Sequence, residues 1–230
     1  MKNHYLNYLL IHKKLLLSSI VIVTLLAAWR YPLIGYTVPV VMITGIVVSV
    51  YKGRYVCGNL CPRGAFYTVY LSKLSKNKPI PPLLKNPVFR WSAFGLMMGF
   101  FAVRVIQSGG NWYSLGILFW TMCAVTTGIG IGTGILFKPR TWCAFCPMGT
   151  LQNAIGGHKE PLKVSQSCVN CKLCEKKCPL ELPIAKYREQ GVSLERDCLK
   201  CNVCVATCPK KALSFDKKLH KNKEEPVMVS

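Results

Sequence analysis

From Met1 to Lys159 the chain has no aspartate and no glutamate. Its nine acidic residues all lie from Glu160 onward. Histidine is scarce too, with only His4, His12, His158 and His220, and none lies inside an apolar run. A haem-binding membrane cytochrome needs paired axial histidines across helices, so no haem is expected. The interfacial His12 and His158 read as plain residues. Nothing resembles a nucleophile with its base, or a phosphate-binding loop. No small-residue cleavage site follows the first apolar run, which argues against a signal peptide.

The missing acids leave sixteen Lys and Arg unopposed in the first 159 residues, within a net charge of +21. The basic residues flank apolar runs instead of forming a stripe with interleaved aromatics. Nucleic acid is therefore not the expected partner. A membrane domain obeying the positive-inside rule fits better.

Four apolar runs are present: Leu15 to Trp29, Leu33 to Tyr51, Val88 to Ile106 and Tyr113 to Phe137. The first is short against the ~20 residues a span needs. Arg30-Tyr31-Pro32 is a tight link to the second. The glycines of GIGIGTG, late in the fourth run, permit close helix approach. Arg90 and Arg104 flank the third run, where snorkelling is the cheaper account. Trp112, Tyr113 and Trp120 suit an aromatic belt. The N-terminal tail and the connector between the second and third runs hold most of the charge, so both termini and the connector are expected on the cytoplasmic side. In that connector, Gly64 to Lys76 reads as an interfacial helix, broken by PIPPLL.

Thirteen cysteines are present, in metal-type spacings. Residues 168–178 read CVNCKLCEKKC and residues 198–208 read CLKCNVCVATC, each followed by proline. This Cys-x2-Cys-x2-Cys-x3-Cys-Pro repeat is the spacing of two-cluster ferredoxins, in which the fourth cysteine of each run ligates the other cluster. One 4Fe–4S cluster is expected on Cys168, Cys171, Cys174 and Cys208, and the other on Cys198, Cys201, Cys204 and Cys178. Zinc knuckles would not explain the third cysteine, the three-residue gap or the proline, twice over. Crowding lysines (Lys172, Lys176, Lys177, Lys200, Lys210, Lys211) are either solvated charge or a docking face for an acidic redox partner.

Two further motifs leave the second and fourth runs. They are YVCGNLCPRG, with Cys57 and Cys61, and TWCAFCPMG, with Cys143 and Cys146. Proline after the cysteine suits the first turn of a helix, whose N-terminus favours an anionic group. The preferred reading is a third iron–sulfur cluster on these four thiolates, beside zinc or a metal-free thiol set. Cys123, without a partner motif, reads as a small core residue.

CGNLCP after one span, CAFCP after a later one, and the double ferredoxin motif together resemble the NapH-type membrane ferredoxins. That group belongs with the polyferredoxin-like quinol dehydrogenase components, and the NosR and MauN membrane domains are related. The resemblance runs from Leu15 to about Phe215. It implies a multi-pass protein of the cytoplasmic membrane of a prokaryote, with clusters and both termini inside. It implies electron transfer between the quinone pool and other redox subunits of a membrane complex, as the electron-transfer subunit of a quinol dehydrogenase. The family motif is usually Cys-x3-Cys-Pro at both places, whereas Cys143 and Cys146 are two residues apart.

The expected architecture is a membrane all-α domain of four transmembrane helices over residues 1–158, embedded in the lipid bilayer. A small α+β two-cluster ferredoxin-like domain follows at 159–215, then a basic tail at 216–230. The alternative functions are a redox-sensing or maturation factor for another enzyme, and a zinc-bound membrane scaffold.

Overall fold

With no water in lipid to solvate their backbones, the apolar runs must satisfy every N–H and C=O internally, and helices do this. The computed structural model describes residues 2–215, with side chains from residue 12 onward; the basic tail lies outside these residues. Helix α1 spans Lys2–Ala27. A tight turn leads into a 3-10 turn, Pro32–Tyr36, and α2, Thr37–Lys52. The short helices α3 (Tyr55–Asn59), α4 (Pro62–Tyr70) and α5 (Pro82–Lys85) form the connector. Then come α6 (Pro87–Gln107) and α7 (Trp112–Leu136), joined by a turn in which Gly109 and Gly110 take positive φ. Asn86 and Asn111 cap α6 and α7 by accepting from the backbone N–H two residues on.

Among the described residues, three helices are long and apolar enough to cross a membrane: Pro32–Lys52, Pro87–Gln107 and Trp112–Leu136. Helix α1 holds the first apolar run but is not one of the three; that run is short and follows Lys13 and Lys14. Its outward residues Leu16 and Leu26 are nonetheless exposed, like Val40 and Val47 on α2, Leu96 and Ile106 on α6, and Val125 on α7. So large an apolar surface calls for a nonaqueous neighbour.

Close backbone approaches lock the bundle. Gly35 and Gly116 bring the 3-10 turn against α7, where a Cβ on either would meet main chain. The glycines of the fourth run do serve approach: Gly130 makes room for Tyr67 and Gly134 for Leu71. Helix α4 therefore differs from the expected interfacial helix. It stops at Tyr70 and buries Ala65, Tyr67 and, just beyond its end, Leu71 between α1 and α7.

Past α7 the chain forms α8 (Trp142–Phe145) and α9 (Pro147–Gly156), the latter packed along α2 where Gly156 meets the Ser49 carbonyl. The last part is small. Strand β1 (Lys163–Val164) pairs antiparallel with β2 (Leu213–Ser214), and the helices α10 (Leu173–Lys177) and α11 (Val203–Thr207) each follow a cysteine loop.

Candidate iron–sulfur sites

Each ferredoxin-type loop turns too tightly for ordinary backbone. Asn170 and Lys172 take positive φ in the first loop, and Lys200 and Asn202 do so at the equivalent positions of the second. Glu181 and Lys211 match in the same way beyond each Cys-Pro. The repeat in sequence is thus a repeat in backbone. It places Cys168, Cys171, Cys174 and Cys208 around one void. Cys178, Cys198, Cys201 and Cys204 lie near enough to influence one another electrostatically, within a larger core that also holds Leu180, Leu199 and cysteines of the first loop. Cys208 of the second run thus lines the void of the first loop.

All thirteen cysteines are free thiols. Burial pushes Cys174 and Cys198 up to about 11. Burial, with Cys198, Cys201 and Cys178 nearby, pushes Cys204 up to about 12. Such thiols keep their protons at neutral pH unless a metal displaces them. Among the described residues, no three Cys, His, Asp or Glu side chains close on a single ion-sized point. Thiols ringing a void suit a multi-atom cluster better than one zinc ion.

The other four cysteines come from two equivalent hairpins. Cys57 lies on α3, and Cys61 is the N-cap of α4, which Pro62 begins. Cys143 lies on α8, and Cys146 is the N-cap of α9, which Pro147 begins. Three residues before the first cysteine of each hairpin stands an arginine, Arg54 or Arg140, and both are buried. They cross over. Arg54 Nη2 donates to the Cys143 carbonyl at 2.6 Å. Arg140 Nη1 donates to the Cys57 carbonyl at 3.4 Å and the Gly58 carbonyl at 3.5 Å. The motif glycines leave room for this: a Cβ on Gly149 would strike the Arg54 guanidinium, and one on Gly64 would approach that of Arg140.

The four thiols share one cavity of about 430 Å3 with residues of α1, α2, α6 and α7. Its far wall is apolar and includes Met42, Met97, Phe101 and Phe119. Cys57 Sγ donates to Gln152 Oε1 at 3.0 Å. Burial pushes the Cys57 thiol well up and Cys143 up to about 11. Two N–H donors in this cavity wall, Arg54 Nε and Trp142 Nε1, are buried with no acceptor. Orphaned donors around four thiols fit an anionic iron–sulfur group, whose sulfurs accept hydrogen bonds.

Arg54 also binds the ferredoxin-type part. Arg54 Nη1 and Arg90 Nη1 each lie 2.7 Å from an oxygen of Asp197, which precedes Cys198. Asn153 Nδ2 adds a bond of 2.5 Å. Burial alone would raise the Asp197 carboxyl, but the two arginines hold it below its usual range. Arg90 is therefore buried and paired, and does not snorkel. Beside it, Gly58 lies against the Leu199 carbonyl, and Asn59 Nδ2 donates to the Lys200 carbonyl at 3.0 Å. Lys200 Nζ donates to the Lys159 carbonyl. Glu181 reaches Lys138 at 2.8 Å, Lys85 at 3.4 Å and the Ile80 N–H at 3.1 Å. The site on Cys178, Cys198, Cys201 and Cys204 thus adjoins the membrane hairpins.

Comparison with known families agrees in class. The family described as a 4Fe-4S binding domain matches residues 34–81 and again 117–164. That described as a 4Fe-4S dicluster domain matches residues 167–213. The chain is an iron–sulfur protein with membrane-type helices. It is 27% identical over 154 residues to MJ0749 of Methanocaldococcus jannaschii and 26% identical over 165 residues to MJ0750, both named only as uncharacterized proteins. These stretches cover 64% and 63% of this chain. The chain spans 60% and 66% of the lengths of those relatives. No solved structure matches it significantly.

Sequence reasoning passed over Arg54, Arg140, Asp197, Gln152 and Trp142. A signal for the arginines was present: Arg-x2-Cys-x(2 or 3)-Cys-Pro-x-Gly occurs twice. It also passed over Arg63, whose Nη2 lies 3.4 Å from Cys123 Sγ inside the cavity. Cys123 is buried as expected, but it faces a cation.

Proposed function

We propose that the chain is a four-span protein of a prokaryotic cytoplasmic membrane. Its role is to relay electrons between a quinone in the cavity and redox proteins on the cytoplasmic side, as in quinol dehydrogenase complexes. The observation that carries this reading is one cavity lined both by residues of four helices and by four cysteines. The exposed apolar residues of α1 support its counting as the fourth span. The basic tail, connector and ferredoxin part then lie on the cytoplasmic side.

Cys57, Cys61, Cys143 and Cys146 would hold one cluster, Cys178, Cys198, Cys201 and Cys204 a second, and Cys168, Cys171, Cys174 and Cys208 a third. When bound, each supplies a one-electron carrier. The chain's own residues do the rest. Arg63, half-buried in the cavity wall, offers a guanidinium to a quinone oxygen. Met42, Met97, Phe101 and Phe119 present an adaptable apolar wall for an isoprenoid tail. Arg54, Arg90 and Asp197 hold the soluble part against the cavity's closed end.

The test uses the anaerobically purified protein in lipid nanodiscs with its iron loaded. A short-chain menaquinol or ubiquinol should reduce the clusters, read by electron paramagnetic resonance. Arg63→Met and Met97→Trp should raise the quinol concentration required while leaving iron content unchanged. If iron is complete, yet neither quinol nor quinone exchanges electrons with the protein, the quinone reading is wrong.

A further inference from the structure

The two ferredoxin loops are equivalent in backbone but not in surroundings. The second loop is covered by the membrane part. Leu199 is 2% exposed and Lys200 5%, and both face Gly58, Asn59 and Lys159. Just past the cysteine that completes this set, Leu180 is buried and Glu181 engages Lys85 and Lys138. The equivalent residues of the other end are bare. Val169, the counterpart of Leu199, is 56% exposed, and Asn170 and Cys171 are exposed beside it. Lys210 and Lys211 stand where Leu180 and Glu181 stand, and they are exposed too.

The charge is inverted between the ends. At the covered end an acid, Glu181, pairs with two lysines of its neighbour. At the bare end Lys211 takes that position, with Lys172, Lys176, Lys177 and Lys210 around it. None of these five lysines is in an ion pair among the described residues, whose pairs involve Arg54, Arg90, Lys85 and Lys138. Four of the domain's acids are engaged elsewhere: Glu175 accepts from the Ala185 N–H, Glu195 from Tyr187, and Glu181 and Asp197 face the membrane part. What remains among the described residues is an exposed apolar centre of Val169, Cys171 and Leu173 beside Lys172 and Lys210, with Lys176, Lys177 and Lys211 exposed on the same loops.

We propose that this bare end is the docking face for a small acidic electron-carrier protein, which seats on Val169 and Leu173 as the membrane part seats on Leu199. Carboxylates of that partner meet Lys172, Lys210 and Lys211 in the way Lys85 and Lys138 meet Glu181. The apolar centre supplies contact and the rim supplies steering. The role of the occupant as electron carrier rests on the relay function proposed above.

The experiment takes the iron-loaded full chain in nanodiscs and uses an acidic bacterial two-cluster ferredoxin and a flavodoxin as probes. Binding is measured against salt, and carbodiimide crosslinks are mapped. Crosslinks are expected at Lys172, Lys210 and Lys211, with affinity falling about tenfold or more in the triple variant Lys172→Glu, Lys210→Glu, Lys211→Glu. The same reversal at the connector lysines Lys73, Lys76 and Lys78 should change little. Iron content and reduction by dithionite should match the unaltered chain in both variants, which excludes misfolding. Binding by neither probe, unchanged binding after reversal at the bare end, or crosslinks confined to the connector overturns the proposal. Should quinol fail to reduce the protein while binding stays dependent on these lysines, the relay reading falls and the docking face stands.

Discussion

Arg54 reaches across 89 positions of sequence to donate to the Cys143 carbonyl at 2.6 Å. Arg140 returns the contact to Cys57 and Gly58. Each hairpin therefore lacks the group that holds its own cysteine turn, and neither half-site is complete alone. The family described as a 4Fe-4S binding domain matches each half separately, yet each match holds only two of the four Cys-Pro cysteines. The crossed arginines tie the two halves together.

Removing either arginine should be costly. Arg54→Ala leaves Asp197 with Arg90 and Asn153 and the Cys143 carbonyl without its donor. A buried polar group stripped of its partner costs about 1–3 kcal/mol. Arg54→Lys should recover part of this, since a lysine keeps the charge but cannot serve Asp197 and Cys143 through a planar fork. Thermal unfolding in nanodiscs and iron content per chain measure both. Equal losses in the Ala and Lys variants would show that charge is not what matters there.

The glycine of each Cys-Pro-x-Gly should tolerate substitution unequally. A Cβ at Gly149 strikes the Arg54 guanidinium, which packing and Asp197 hold in place, whereas one at Gly64 stands farther from that of Arg140. Gly149→Ala is expected to destabilise by about 1–3 kcal/mol and to lower iron content, and Gly64→Ala to do less. Unfolding curves of the two variants, run side by side, decide the order.

Much of this was legible before any coordinates. The ferredoxin repeat announces its repeated backbone through spacing, since the two loops take positive φ at equivalent positions. Pro62 and Pro147 mark helix starts correctly, since a ring that lacks an N–H fits the first turn. What could not be read is anything set by tertiary pairing. Arg90 looked like a snorkelling cation because its partner, Asp197, lies 107 residues away. Helix α4 looked interfacial because its aromatic and aliphatic residues suit a membrane surface as well as the space that Gly130 and Gly134 leave for Tyr67 and Leu71. The apolar part of the cavity has no motif, since its residues come from four separated helices.

The seam between the two parts should loosen in acid. Burial alone would raise the Glu181 carboxyl, but Lys138, the Ile80 N–H and Lys85 together hold it below its ordinary value. A carboxyl depressed in the folded state contributes stability above its unfolded pKa of about 4.3. That contribution is lost as pH falls through the lower folded value. Protease cleavage in the 79–86 connector should therefore rise below roughly pH 4 in the unaltered chain. Glu181→Gln should show raised cleavage already at pH 7 and a flatter response to acid. Parallel pH curves for the two proteins would assign the acid step to some other group.

The crossed hairpins finally predict non-additive loss at the membrane cysteines. If Cys57, Cys61, Cys143 and Cys146 hold one group in common, Cys57→Ser and Cys143→Ser each empty the same site. Iron should fall from about twelve to about eight per chain in either variant. The double variant should fall no further, since a site already lost cannot be lost twice. Two separate half-sites, one per hairpin, would instead give losses that add. Electron paramagnetic resonance of the reduced protein provides the second readout, with the signals assigned to the ferredoxin loops unchanged throughout. An additive decline in iron, or survival of every signal in the double variant, would remove the shared site and leave Arg54 and Arg140 with a purely structural task.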